Sequence, residues 1–315
     1  MKISSVKVGI LQCKSYQPET IDGCVRRIAD AISFRLPHGS QVLIKPNLVA
    51  GRGHDGLACT HPECVASVAR WCLDQGAVVS IGDSPAFGNG IDVMRRWGIA
   101  EAVKSLDAKL VSFSPGEKMN LAGGSSVVVA AQVLENDFLI NIPKFKAHSQ
   151  LGVTLAVKNY FGMVVGWRKA VLHQVLGGDK RRFSRMLVDL LAIAPPGMTI
   201  IDGVMAMHKS GPLDGEDYPL GILAGSLNPV ALDTALLNVI GVEVHRNLLW
   251  LECRRRKLLG SNADLLEYPF LHSEEVRVNN FSVPDVLNSI RFNGVQVWRS
   301  IRQRVKMVFS SAHSG

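Results

Sequence analysis

Four segments of this 315-residue chain place ionisable or amide side chains directly after an apolar run. Ile44 is followed by Lys45-Pro46-Asn47, and Ile81 by Gly82-Asp83-Ser84-Pro85. Ile142 leads into Pro143-Lys144-Phe145-Lys146-Ala147-His148, and Ile201 into Asp202-Gly203. Each apolar run reads as a buried strand, so the polar residues fall at strand carboxyl ends. In an open parallel sheet those ends lie along one edge, where ligands bind. The expected result is one polar crevice built from Lys45, Asn47, Asp83, Ser84, Lys144, Lys146, His148 and Asp202. A plainer reading, that Asp and Asn favour turns, accounts for the two aspartates but poorly for the lysines.

The chemistry those residues offer is anion recognition and proton transfer. KFKAH sets Lys144, Lys146 and His148 on alternate residues of what reads as a short loop. Crowded cations are relieved by a phosphate or carboxylate, although a solvated basic loop is the bland alternative. Lys158 lies inside the apolar stretch TLAVKN, an expensive place for an ammonium unless it is paired or titrates low. It either snorkels to water or serves the site beside Asn159. Asp233 sits in the apolar helix NPVALDTALLNVIG and needs a partner, for which a lysine of the cluster is the expectation. We therefore expect Asp83, His148, Lys158 and Asp202 as acid/base groups. Lys45, Asn47, Ser84, Lys144, Lys146, Asn159 and Asp233 would hold the ligand, a small anionic metabolite. A non-catalytic ligand-binding or assembly module is the alternative function.

Other chemistries find less support. No GxGxxG after a strand, GxxxxGK[ST], GxSxG or HExxH occurs. His54, His61 and His148 have no metal-ligand spacing, and no metal site is expected. Cys13, Cys24, Cys59, Cys64, Cys72 and Cys253 match neither a zinc nor an iron–sulfur spacing and read as structural thiols. The cofactor is left open.

The positioning elements alternate. Strands are expected at Val6–Leu11, Gln41–Lys45, Ala77–Gly82, Lys109–Phe113, Phe138–Ile142, Met198–Ile201 and Leu220–Ala224. Helices are expected at Thr20–Arg35, from a Thr60-x-x-Glu63 capping box through Asp74, near Asp92–Leu106, at Asp179–Ala194, and from Asn228-Pro229 to Ile240. Residues 115–136 read as a hairpin insertion. The fold class is thus α/β, a mostly parallel sheet with helices on both faces. Residues 1–290 are expected to form one domain, with a sub-lobe division near 114–137 left open.

At 47% hydrophobic and 20% charged residues, the chain is that of a globular protein rather than a disordered one. No apolar run reaches the roughly 20 residues of a membrane span, and a cytoplasmic location is expected. The net charge of +8 is regional: residues 138–185 hold nine Lys/Arg against one acid, Asp179. Only 6% of residues are aromatic and no nucleic-acid motif accompanies the charge, so no specific nucleic acid is expected as a partner.

The segments VLIKPNLV, THPE, VSIGDSPA, LINIPKFKAHSQLGVTLAVKNYFG, IDGVMAMHKSGPLDG and LAGSLNPVALDTALLNVIG occur in this order. Together, across about residues 6 to 242, the chain resembles the uncharacterised "domain of unknown function 362" family. The resemblance implies that Lys45, Asn47, Asp83, Lys144, His148, Lys158, Asn159, Asp202 and Asp233 matter. Many members carry a ferredoxin-like iron–sulfur segment, which implies redox-linked work. The cluster-binding cysteine run is missing from this sequence, so an electron-transfer partner would be a separate protein.

Residues 291–315 read as a basic amphipathic helix or tail, with Val297, Ile301, Val305 and Val308 on one face. It either docks on its own domain or meets an anionic membrane surface. Truncation after Asn293 separates the two: liposome binding lost from a folded protein marks the membrane role, and general unfolding marks docking.

Overall fold

Runs of Val, Ile and Leu bounded by Pro and Gly form the centre of the molecule as parallel strands buried on both faces. A computed structural model describes residues 5–51, 56–86, 88–165, 180–213, 215–242 and 247–284. In chain order the strands are β1 (Val6–Lys7), β2 (Gly9–Gln12), β3 (Gln41–Pro46), β4 (Val78–Ile81), β5 (Ala108–Leu110), β6 (Pro115–Asn120) and β7 (Ser126–Ala130). They continue with β8 (Phe138–Ile142), β9 (Lys144–His148), β10 (Gly152–Thr154), β11 (Thr199–His208), β12 (Glu216–Tyr218), β13 (Ile222–Ser226) and β14 (Leu266–Glu267).

Among the described residues the main sheet runs β10-β9-β11-β8-β3-β4-β5, with β12 and β13 also on β11 and β2 on β13. From β5 through β4, β3 and β8 to β11 every pairing is parallel, as is β11 with β9. The flank is antiparallel: β2 on β13, β13 and β12 on β11, and β10 on β9. The sheet is therefore mixed, with a parallel centre. Alternation along β3 shows why both faces need helices. Val42 and Ile44 join one apolar cluster with Val65, Val68 and Ala69, while Leu43 joins another with Phe183, Met186 and Leu187.

Several expectations shift in detail. The first strand is broken: β1 pairs with β14 and β2 with β13. The helix expected at Asp92–Leu106 is two short ones, Gly90–Arg96 and Ile99–Ala102, parted by Gly98 at φ 80°. The strand at Met198 runs on to His208 because β8, β9, β12 and β13 all pair with it. KFKAH is no loop. It is β9, all five residues buried, which also removes the solvated-loop alternative. The basic tail, His54 and Asp214 lie outside the described residues.

The helix Pro62–Asp74 is capped by His61 rather than Thr60, its Nδ1 accepting from Glu63 N–H at 3.1 Å. The Thr60 hydroxyl is engaged elsewhere, accepting from Asn47 N–H (2.8 Å) and donating to the Ile142 carbonyl (2.6 Å). At Pro229–Val239 the cap is the expected one: Asn228 Oδ1 accepts from Val230 and Ala231 N–H at 2.9 and 3.0 Å. Asn228→Ala should lower stability by about 1 kcal/mol. The denaturant midpoint should fall at unchanged slope, and Asn228→Asp should keep most of the wild-type stability.

Candidate functional site

Pro143 parts β8 from β9, so one pass of chain lies against β3 first and β10 afterwards, with β11 alongside throughout. The two-residue period of a strand then sends Lys144, Lys146 and His148 to one face of β9. Phe145, on the other face, joins the apolar cluster of Leu232 and Leu236. The sheet register sets Asp202 of β11 beside Lys144, and Asn141 of β8 beside Lys45 of β3. Asp83 follows β4, and Ala156–Asn159, a single helical turn, brings in Lys158 and Asn159.

Two buried ion pairs anchor the arrangement. Lys45 Nζ lies 2.8 Å from Asp83 Oδ1, with both side chains almost fully removed from water. Asp83 Oδ2 accepts from Leu48 N–H at 2.9 Å. Gly162 covers this pair so closely that a Cβ there would overlap Asp83 Oδ1 and Lys45 Nζ. In the second pair, Lys144 Nζ donates to Asp202 Oδ2 at 2.8 Å and to the Tyr16 hydroxyl at 3.0 Å. Tyr16 in turn donates to Asp202 Oδ1 (2.7 Å), and His61 N–H donates to Oδ2 (2.9 Å). Asp202 thus accepts from three donors, and Tyr16 also takes Met205 N–H at 3.1 Å.

Two further lysines have no carboxylate in contact among the described residues. Lys146 Nζ donates to neutral oxygens, Asn47 Oδ1 at 3.1 Å and the Ala58 carbonyl at 2.8 Å. Burial brings its ammonium down to about 7, and the nearby charge of Lys158 adds to the effect. Lys158 is half-buried and brought to about 8, by desolvation first and then by Lys45. At the strand ends, therefore, the ammonium groups of Lys45, Lys144, Lys146 and Lys158 meet only the carboxylates of Asp83 and Asp202.

Asp233 corrects one expectation. Its carboxylate accepts from Ala156 and Val157 N–H at 2.7 and 3.2 Å, so it caps the turn that carries Lys158 and, among the described residues, pairs with no lysine. Burial raises it to about 7 against those bonds. Asn159 donates to Asn141 Oδ1 at 2.8 Å, extending an amide network beneath the lysines. His148 ends β9, buried, with Nδ1 accepting from Gln150 N–H at 3.1 Å. Ser84 is half-buried beyond β4. No metal-binding group of His, Cys, Asp or Glu occurs among the described residues, and all six cysteines are buried free thiols.

A cavity of about 620 Å³ opens against Lys144, with Tyr16, Thr60, His61, Trp97 and Met205 also in its wall. Cys59, in the same wall, has its thiol pushed up by burial. Tyr16 and His61 stack with ring centroids 3.5 Å apart. Because His61 Nδ1 accepts a hydrogen bond, the neutral ring carries its proton on Nε2. Burial lowers its pKa to about 4, against the pull of Asp202. Sequence reasoning missed Tyr16, His61 and Gly162 as site residues. The His within Thr60-His61-Pro62-Glu63 was a signal, read there as part of a capping box and weighed otherwise only as a metal ligand. Tyr16 carried none.

A family model, "Domain of unknown function (DUF362)", matches residues 42–238. A thylakoid-associated protein of Synechocystis sp., sll1697, is 33% identical over 298 residues, covering 93% of this chain and 92% of that one. Among solved structures, the lactate racemase apoprotein from Thermoanaerobacterium thermosaccharolyticum superposes with a TM-score of 0.45 at 9% identity over 75% of this chain. A structural-genomics protein from Thermotoga maritima gives 0.43 at 9% identity over 70%. The chain spans 57% of the length of both solved chains. At that distance their chemistry is not transferred to this one.

The lysines make a pH test. Lys146, at about 7 in the fold against an ordinary 10.5, binds fewer protons folded than unfolded between those values. Stability should therefore rise with pH through that window, by up to about 1.4 kcal/mol per pH unit for each such lysine. Below pH 7 the full penalty stands. Thermal melts from pH 7 to 9 should show the rise, and Lys146→Met should lessen it, leaving the part from Lys158, while raising the melting temperature at pH 7.

Proposed function

This chain belongs to the family of domain of unknown function 362, and for it we propose an enzyme that binds a small anionic metabolite and moves a proton on it. The observation that carries the reading is the excess of buried ammonium over carboxylate at the strand ends. An ammonium left without a counter-charge in a protein interior costs several kcal/mol. A phosphate or carboxylate returns that energy as affinity. The positive potential acts through a low-dielectric wall on the adjoining cavity, where it is focused rather than screened.

Each residue has a part. Lys144, fixed by Asp202 and Tyr16, presents charge at the cavity wall. Neutral His61 offers an Nε2–H donor there without losing its proton at pH 7. Lys146 and Lys158, brought near neutrality, exchange protons close to working pH. Asp83 holds Lys45, and Asp233 holds the turn that aims Lys158. A redox link through a separate protein remains part of the proposal only as the family resemblance implied it. No helix of the described residues is long and apolar enough to cross a membrane. The thylakoid association in the relative's name fits a cytoplasmic protein that touches an anionic membrane through residues 291–315.

The test is calorimetric titration of the full chain with inorganic phosphate and with oxalate at pH 8, in two buffers of different ionisation enthalpy. Binding should take up protons, because an anion favours charged Lys146 and Lys158. Lys146→Met should be more stable yet bind at least tenfold more weakly. If neither anion binds, or binding survives undiminished in both Lys144→Met and Lys146→Met, the reading fails.

A further inference from the structure

The charges of the cavity wall are segregated. Lys144, with the neutral His61 ring as a donor near it, stands at the level of β11 where Asp202 pairs with Lys144. Glu216 and Asp217 of β12 also line the cavity, and they pair with His208 and Met207 of β11. Between the two levels β9 advances by two residues and β11 by five, because the register shifts there. At about 3.3 Å per residue the two charged ends are between roughly 7 and 17 Å apart.

The acidic end is unequally committed. Glu216 is ion-paired with Lys209 at 2.7 Å. The Asp217 side chain has no hydrogen bond or ion pair among the described residues and is exposed. The wall also holds apolar Leu57, Trp97 and Met205, the last on β11 between the two levels. Trp97 is held in place by its Nε1–H, which donates to the Ala50 carbonyl at 2.6 Å, and a Cβ at Gly56 (φ 71°) would lie only 3.0 Å from its ring. A simple anion would use one end of such a cavity and leave Asp217 repelling it.

Resting on the anion-binding reading above, we propose that the ligand is zwitterionic. It carries a carboxylate or phosphate for the Lys144–His61 end, an apolar body of several carbons for the Trp97–Met205 wall, and an ammonium for Asp217. Each charge then meets its opposite, and the chain between them displaces water from apolar surface.

The probes are 6-aminohexanoate, hexanoate and hexylamine, titrated into the full chain by calorimetry, with inorganic phosphate as the control for the lysine site. 6-Aminohexanoate should bind at least tenfold more tightly than either single-charge analogue. Asp217→Asn should bring the ratio of 6-aminohexanoate to hexanoate affinity to near one, and Lys144→Met should weaken both acids. Chain length should matter, with 2-aminoethanoate losing the advantage. If phosphate binds but hexanoate equals 6-aminohexanoate, or the ratio survives Asp217→Asn, the zwitterion inference is overturned and the anion site stands. If phosphate and every carboxylate fail to bind, both are overturned.

Discussion

Removing an ammonium from water is the constraint on which the strand-end region depends. Lys45 and Lys144 meet it by direct pairing, at 2.8 Å to Asp83 and 2.8 Å to Asp202. Each carboxylate also takes further donors: Leu48 N–H on Asp83 Oδ2, and Tyr16 and the His61 backbone N–H on Asp202. A buried ion pair of this kind is weak as a source of stability. Its consequence is geometric. Lysine is a flexible side chain, and it becomes a fixed point of charge only when its partner is fixed first.

That logic orders the surrounding structure. The backbone around Asp83 is closed down by glycine: a Cβ at Gly162 would overlap the ion pair, and one at Gly90 would run into the Asp83 carbonyl. Asp233 stabilises a helical turn too short to hold itself, by accepting its first amides. The Tyr16–His61 stack closes the Asp202 side and supplies two of its three donors. Charge, backbone and aromatic packing therefore cannot be varied one at a time here.

The parallel centre was legible because QVLIK, VVSI and FLINI are apolar runs ended by Pro or Gly, a local pattern with a local cause. The gathering of Lys45, Asp83, Lys144 and Asp202 followed from the rule for strand ends and needed no knowledge of strand order. What escaped was non-local. KFKAH reads as a loop because two lysines in five residues contradict a buried strand, and only the partners on neighbouring strands resolve the contradiction. Asp233 invited a lysine partner from its charge, but the nearest unsatisfied donors were backbone amides of a distant turn. Tyr16 lies in an irregular stretch, KSYQPE, with no periodicity to mark it. Its role comes from β2 being placed next to β13, which sequence pattern does not fix.

Pro143 has a last consequence. It is the sole residue between two strands that share β11, and beyond it the side chains alternate Lys, Phe, Lys, Ala, His. A strand has a reading frame of two, so inserting or deleting one residue at this joint would exchange the faces. Phe145 and Ala147 would enter the polar region, and Lys144, Lys146 and His148 would enter the cluster of Leu232 and Leu236. Loops elsewhere in such a chain can lengthen at small entropic cost. This joint cannot, so the length of FLINIPKFKAH is as strictly determined as its composition.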